Sequence, residues 1–136
     1  MAKLAPFAPD GIDHLLLLVH DMKAAVDFYQ MVVGATVASR LPEYGMAMLD
    51  AGAGQVALVD WRSPEGAWAR PEVAGGRNID HFALSIATAD EVLVRGHLAA
   101  QAVEIVEEMQ EDGRLSLYVK DPSGNTVELR LAAAGA

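Results

Sequence analysis

Two histidines and one glutamate in this chain have the side chains to hold a metal ion, and a repeat in the sequence relates them. His14 closes the tripeptide Ile12-Asp13-His14, and His81 closes Ile79-Asp80-His81, 67 residues later. Each opens a strand-like run, His14 to Val19 and His81 to Ile86, and each run meets a helix-start residue at the same offset, Asp21 and Thr88. A second match pairs Val56-Ala57-Leu58 with Val127-Glu128-Leu129 at an offset of 71, each just after a glycine-containing turn. Self-similarity of this kind marks an internal duplication. The matched positions are His14, Ala57, His81 and Glu128, and two-fold packing of the halves would let all four face one centre. Two imidazoles and a carboxylate are the ligands of a facial triad, which leaves one side of an octahedral ion open to water, substrate or oxygen. The set suits a divalent ion, Fe2+ or Mn2+ first, with Ni2+ or Co2+ possible; Zn2+ also accepts two His and one Glu.

The elements that must position these residues follow from periodicity and turn chemistry. Residues 1–10 read as a loose arm broken by Pro6 and Pro9. Ile12 to Val19 reads as a strand, with Ile12, His14, Leu16 and Leu18 on one face. Asp21 is a plausible N-cap of a helix running to about Val33, with Met22, Ala25, Val26, Tyr29 and Val33 as its apolar stripe and Gly34 at its end. Strands are expected at Ala35 to Leu41, Tyr44 to Asp50 and Gln55 to Asp60, with Ala51 to Gly54 as a hairpin connection. Residues 61–78 carry two prolines and three glycines and read as the connection between halves. Trp68 within them is either a wall of a pocket or an anchor for the loop. The second half repeats the order. Ile79 to Ile86 is a strand, Thr88 to Glu91 a capping box, and the helix continues to about Gln101. Short strands at Ala102 to Glu107 and Gly113 to Val119 lead to the turn Asp121-Pro122-Ser123-Gly124 and a last strand, Asn125 to Leu131. The expectation is a single α+β domain over 1–136, with module one at 11–60, a linker at 61–78 and module two at 79–131. Strand-helix-strand-strand-strand, twice, predicts a cupped mixed sheet with helices outside.

Taken singly, a histidine in an apolar run is usually a satisfied core residue; the symmetric recurrence is what favours a ligand. Glu128 points the same way, because a carboxylate between valine and leucine on a strand is costly unless paired or bound. Asp13 and Asp80 recur as well and read as surface residues. Tyr118 shares a strand face with Ser116 and is the candidate catalytic residue, donating a hydrogen bond to an oxyanion or acting as an acid. Its alternative is a sheet tyrosine at the rim. Ala83 and Ser85 share a face beside His81. Lys120 reads as solvated or as a partner for a substrate carboxylate, Arg130 as surface charge, and Met46 and Met48 as cavity lining or core filler.

Composition bounds the alternatives. The net charge of -9 leaves no basic stripe for a nucleic-acid partner. The chain contains no Cys, so disulfides, thiolate nucleophiles and zinc–sulfur sites are excluded together. No apolar run reaches membrane-spanning length, and Met1 to Pro9 lacks the apolar core of a signal peptide. The expectation is a cytoplasmic protein with a small-molecule substrate and neither nucleic acid nor membrane as partner.

Over about residues 11 to 131 the chain resembles the vicinal oxygen chelate superfamily, the glyoxalase, bleomycin-resistance and extradiol dioxygenase group. Ile12-Asp13-His14, Phe28-Tyr29 before Val33-Gly34, Asp80-His81-Phe82, and Asp121-Pro122-Ser123-Gly124-Asn125 with Val127-Glu128-Leu129 carry the resemblance. It implies paired βαβββ modules cupped over a divalent metal, with ligands at His14, His81 and Glu128. It also implies a homodimer, in which modules are sometimes exchanged between chains. The sequence departs from the glyoxalase I pattern at Ala57, where that family usually places a fourth ligand, Glu or Gln. It departs from the fosfomycin-resistance enzymes at Leu16, where they usually carry a threonine, and it ends before their anion-binding Arg. Classical extradiol enzymes have a longer chain and a further catalytic His. The function expected is therefore a metal-dependent enzyme on a small substrate with vicinal oxygens, of dioxygenase or lyase type. The alternatives are a metal-free small-molecule binding or resistance protein, and a lyase or isomerase of glyoxalase type.

Overall fold

The computed structural model describes Pro6, residues 11–71 and residues 79–135. The expected arm (apart from Pro6), the 72–78 part of the expected linker and Ala136 lie outside the described residues. Among the described residues, eight strands form two four-stranded mixed sheets. The first contains β1 (His14–Val19), β2 (Thr36–Leu41), β3 (Met46–Ala51) and β4 (Gly54–Asp60) in the order β1-β4-β3-β2; α1 (Met22–Phe28) follows β1 in the chain. The second contains β5 (Phe82–Ile86), β6 (Glu107–Glu111), β7 (Arg114–Lys120) and β8 (Thr126–Leu131) in the order β5-β8-β7-β6, with α2 (Glu91–Ala100) following β5. In both sheets the first strand runs parallel to the last, and the other pairings are antiparallel. This is the βαβββ arrangement, twice.

The duplication extends to strand register. Leu16 pairs with Ala57, which pairs with Met48 on its other side. Ala83 pairs with Glu128, which pairs with Tyr118. One strand position further, the row Leu18, Val59, Met46 corresponds to Ser85, Arg130, Ser116. Strand side chains alternate between faces. One face of each sheet enters a single core that joins the halves: Leu17, Val19, Val56, Leu58, Ala47 and Leu49 from the first sheet, and Phe82, Leu115, Leu117, Val119, Val127, Leu129 and Leu131 from the second. The opposite face carries His14, Leu16, Ala57, Ala83, Tyr118 and Glu128, and is the face available for chemistry.

Helix α1 starts where Asp21 accepts the Ala24 amide, as its N-cap position requires. It buries Ala25, Val26 and Phe28. The expected single α-helix to Val33 is corrected: the α segment stops at Phe28, and residues Tyr29–Val33 form a π turn closed by left-handed Gly34. The π turn opens at Tyr29, whose ring is completely buried and packs edge-on against Phe28 at 5.1 Å. The expected capping box is also corrected. Asp90, not Thr88, caps α2 by accepting the Leu93 amide, while Thr88 Oγ1 accepts the Asp90 amide. The strand expected at Ala102 to Glu107 lies later, at Glu107–Glu111; Val103 and Ile105 pack on the core without joining the ladder. The β6–β7 connection is a two-residue loop, Asp112-Gly113, with positive φ at both positions, the geometry of a type I′ turn.

Among the described residues, four polar contacts tie the halves together. Tyr29 Oη donates to Asp121 Oδ2 at 2.8 Å, Asn125 Nδ2 donates to the Leu18 carbonyl at 3.3 Å, and the His20 amide donates to Ser123 Oγ at 3.2 Å. His97 Nε2 lies 3.1 Å from the Val32 carbonyl. Asp121 is buried, and its Oδ1 accepts the Ser123 and Asn125 amides of its own turn. The Asp-Pro-Ser-Gly turn is therefore both a strand connection and the clasp that orients one half on the other.

Candidate metal centre

The structure brings two of the three expected ligands together. His81 Nε2 lies 3.1 Å from Glu128 Oε1. Glu128 stands on β8, its carboxylate almost covered; Ser116 Oγ, one strand over, donates to Oε2 at 2.8 Å. The Tyr118 hydroxyl also hydrogen-bonds to Glu128, and its ring meets the His81 ring edge-on at 5.4 Å. Burial pushes the Glu128 carboxyl up, but the Ser116 and Tyr118 hydrogen bonds, with His81 and Arg130 nearby, hold it below the usual carboxylate range. Glu128 is thus an ionised acceptor in a covered place, where an unpaired charge would not be stable. His81 is raised, chiefly by its hydrogen bond to Asp80, while partial burial acts the other way. Tyr118 is pushed up to about 12, first by its hydrogen bond to Glu128 and then by burial. At neutral pH it is a hydrogen-bond donor.

Asp80 and Asp13 are exposed, as the sequence reads, and each also has a contact that sequence reasoning did not foresee. His81 Nδ1 is held by Asp80 Oδ2 at 2.8 Å, and His14 Nδ1 by Asp13 Oδ1 at 2.7 Å. An aspartate on Nδ1 fixes the ring and directs Nε2 outward, the outer-shell arrangement common to metal-binding histidines. The recurrence of Ile-Asp-His was the available signal, since the aspartate repeats with the histidine.

His14 is not joined to the His81–Glu128 pair. Among the described residues, no three His, Cys, Asp or Glu side chains of one chain are grouped closely enough to hold a metal ion. His14 stands about half exposed at the start of β1, an edge strand of its sheet, as β5 is of the other. Ala57 lies in the floor of the first sheet, fully buried, where Glu128 lies in the second.

Two cavities flank His81. One, of about 340 Å³, is lined by Glu107, Met109, Tyr118, Lys120 and Thr126. The other, of about 490 Å³, lies between the halves against Leu16, Leu18, Trp61, Arg62 and Asn125. Lys120 donates to Thr126 Oγ1. Trp68 borders neither cavity; its indole donates to the Tyr44 carbonyl at 2.8 Å, so it anchors the loop. Arg130 is not free surface charge: its side chain is 23% exposed, on the Glu128 face, with Nη1 3.9 Å from Glu128 Oε2.

The profile of the Glyoxalase/Bleomycin resistance protein/Dioxygenase superfamily matches residues 11–129. The chain belongs to that superfamily. Solved structures agree on the fold. A lactoylglutathione lyase from Agrobacterium tumefaciens superposes with a TM-score of 0.70 at 23% identity, over 91% of this chain and 95% of the other. An integron cassette protein from the mobile metagenome of V. cholerae gives 0.66 at 25% identity, over 93% and 98%. The fosfomycin resistance protein FosX from Mesorhizobium loti gives 0.66 at 16%, over 93% and 96%. No curated protein matches the chain. Within the superfamily, the present chain carries two Asp-His pairs, one buried glutamate and an alanine at the fourth position. Among the described residues, no helix is long and apolar enough to cross a membrane.

Proposed function

We propose that this member of the superfamily is a metal-dependent enzyme acting on a small substrate with two vicinal oxygens. Its centre is built by His14 of one protomer with His81 and Glu128 of its partner in a homodimer. The observation that carries the reading is the pair of matched Asp-His units, one of them already aimed at the buried Glu128 carboxylate. Two neutral imidazoles and one carboxylate fit a divalent ion, with Fe2+ or Mn2+ preferred by the mixed N/O set. The separation of His14 from the pair within one chain, and the position of β1 and β5 at sheet edges, favour completion by a second copy. The ion, when bound, supplies a Lewis acid that stabilises charge developing on substrate oxygens.

The protein's own groups prepare that chemistry. Ser116 and Tyr118 orient the Glu128 carboxylate, and the aspartates orient the imidazoles. Tyr118, protonated through neutral pH and hydrogen-bonded to Glu128, stands beside His81, where its one proton would turn from Glu128 to a substrate oxyanion. Ala57 has no donor atom on its side chain, so an ion held by His14, His81 and Glu128 would have one more position open than in a four-ligand site. This favours a reaction with a third reactant, such as dioxygen, over isomerisation of glyoxalase type.

A metal-free binding protein is the second reading, favoured by the direct contact of His81 Nε2 with Glu128 Oε1. Metal analysis of protein purified without chelator, followed by titration with Mn2+ and Fe2+, separates the two. About one equivalent per chain is expected. Less than about 0.1 equivalent, with none taken up on reconstitution, would end the enzyme reading.

A further inference from the structure

The two copies of the chemistry-bearing face have diverged in a consistent direction. In the first sheet it carries Leu16, Leu18, Met46, Met48, Ala57 and Val59. The register-matched positions of the second sheet are Ala83, Ser85, Ser116, Tyr118, Glu128 and Arg130. At these six matched positions the first copy is apolar and the second, Ala83 apart, carries polar groups; the neighbouring row of the first sheet is polar, with His14 and Gln55. Arg130 replaces Val59 in the middle row, between Ser85 on β5 and Ser116 on β7.

We propose that Arg130, with Ser85 beside it, is a carboxylate-binding subsite, and that the substrate is a small amphiphilic acid whose apolar part lies on the Leu16, Leu18, Met46 and Met48 face of the other protomer in the proposed homodimer. The inference rests on the proposed metal-dependent reading for where the vicinal oxygens sit. Arg130 has donors to spare. Its one ion-pair partner within 4.0 Å among the described residues, Glu128 Oε2, is 3.9 Å away, too far for a hydrogen bond, and Glu128 already takes bonds from Ser116 and Tyr118. Its register neighbours on both sides are neutral serines, and Ser85 is exposed. Besides Glu128, the strand carboxylates of this face in the second sheet, Glu107 and Glu111, are on β6, beyond β7. A net charge of -9 repels an anionic substrate, so binding one requires a local cation; a guanidinium fork matches a carboxylate in two parallel hydrogen bonds. An acid held there would present oxygens on its neighbouring carbon toward Glu128 and His81, one strand position away.

Calorimetric titration of the metal-free protein with mandelate, and with mandelamide as its uncharged isostere, tests this. Manganese titration is run separately on the same variants. The expected result is saturable mandelate binding, with the amide at least about tenfold weaker, the scale of a charge-assisted hydrogen bond. Arg130→Gln should weaken mandelate about tenfold and leave mandelamide unchanged, and Arg130→Lys should recover part of the loss. Absence of saturable mandelate binding, equal binding of acid and amide, or unchanged mandelate affinity in Arg130→Gln would each overturn the subsite. Should Arg130→Gln fail to fold, the acid–amide comparison and the Lys variant decide. Normal manganese uptake alongside any of those failures leaves the metal centre standing and removes the subsite alone.

Discussion

Glu128 and Ala57 occupy the same place in two copies of one sheet. Glu128 stands between Ala83 and Tyr118 across the strands, and Ala57 between Leu16 and Met48. One copy placed an ionised carboxylate in a covered floor, and the other a methyl group. Replacing Glu128 by Gln keeps the shape and a partner for Ser116 but removes the anionic ligand. We predict that manganese affinity, measured by calorimetry, falls by more than the roughly 10–100-fold typical of losing an outer-shell partner. Unchanged affinity would mean the carboxylate serves only Ser116, Tyr118 and His81.

Ala57→Glu makes the converse change. The position is fully buried and flanked by Leu16 and Met48, so the new side chain is crowded. The metal-free variant should lose about 1–3 kcal/mol in urea unfolding. A fourth ligand should tighten manganese binding and reduce the positions open to substrate. Lower affinity than wild type would show that the two sheets do not face one ion.

The aspartates provide a test that spares the ligands. Asp80→Asn and Asp13→Asn each remove the carboxylate from a histidine Nδ1, and each should weaken metal binding roughly 10–100-fold. The Asp13 variant is the more informative, because His14 has no contact with Glu128 in one chain. No effect there, with an effect at Asp80, would remove His14 from the centre.

Tyr29→Phe breaks the contact between the π turn and the Asp121 turn. It should cost about 1 kcal/mol in chemical denaturation at neutral pH, since Asp121 keeps its other donors. The pH dependence has a definite sign. Burial, then the Asp121 charge and hydrogen bond, raise the Tyr29 hydroxyl above its ordinary value. The unfolded chain therefore gives up this proton first, near pH 10. The stabilisation is complete below about pH 10 and is lost as pH rises beyond it. Alkaline unfolding of Tyr29→Phe should be shallower than that of wild type. Tyr118, pushed up to about 12, should leave a residual slope of the same sign.

Much of this was legible in the sequence, and the missing parts share a physical reason. The Ile-Asp-His repeat and the Val-Ala-Leu to Val-Glu-Leu match located the paired modules and the register of Ala57 against Glu128, because alternation along a strand fixes faces. Alternation does not say what covers a face, so Arg130 read as surface charge although it shares Glu128's side of β8. Nor does it say which polar group a side chain reaches: Asp13 and Asp80 are surface residues, as the sequence reads, and each also holds an imidazole. Strand β6, Glu-Glu-Met-Gln-Glu, is exposed throughout; with no buried side it has no alternation to detect. Apolar Val103 and Ile105 drew the expected strand too early. The π turn keeps an almost helical hydrophobic pattern, and Thr88 and Asp90 are both good caps two residues apart.

The shared centre is tested most directly by mixing two defective chains. His14→Ala and Glu128→Gln homodimers should each fail to hold manganese tightly. In their heterodimer, His14 of the Glu128→Gln chain meets His81 and Glu128 of the His14→Ala chain, and one centre is whole. Manganese bound to the purified, differently tagged heterodimer should rise to about one ion per dimer. A heterodimer that binds no more than its parents would contradict a centre built across two protomers.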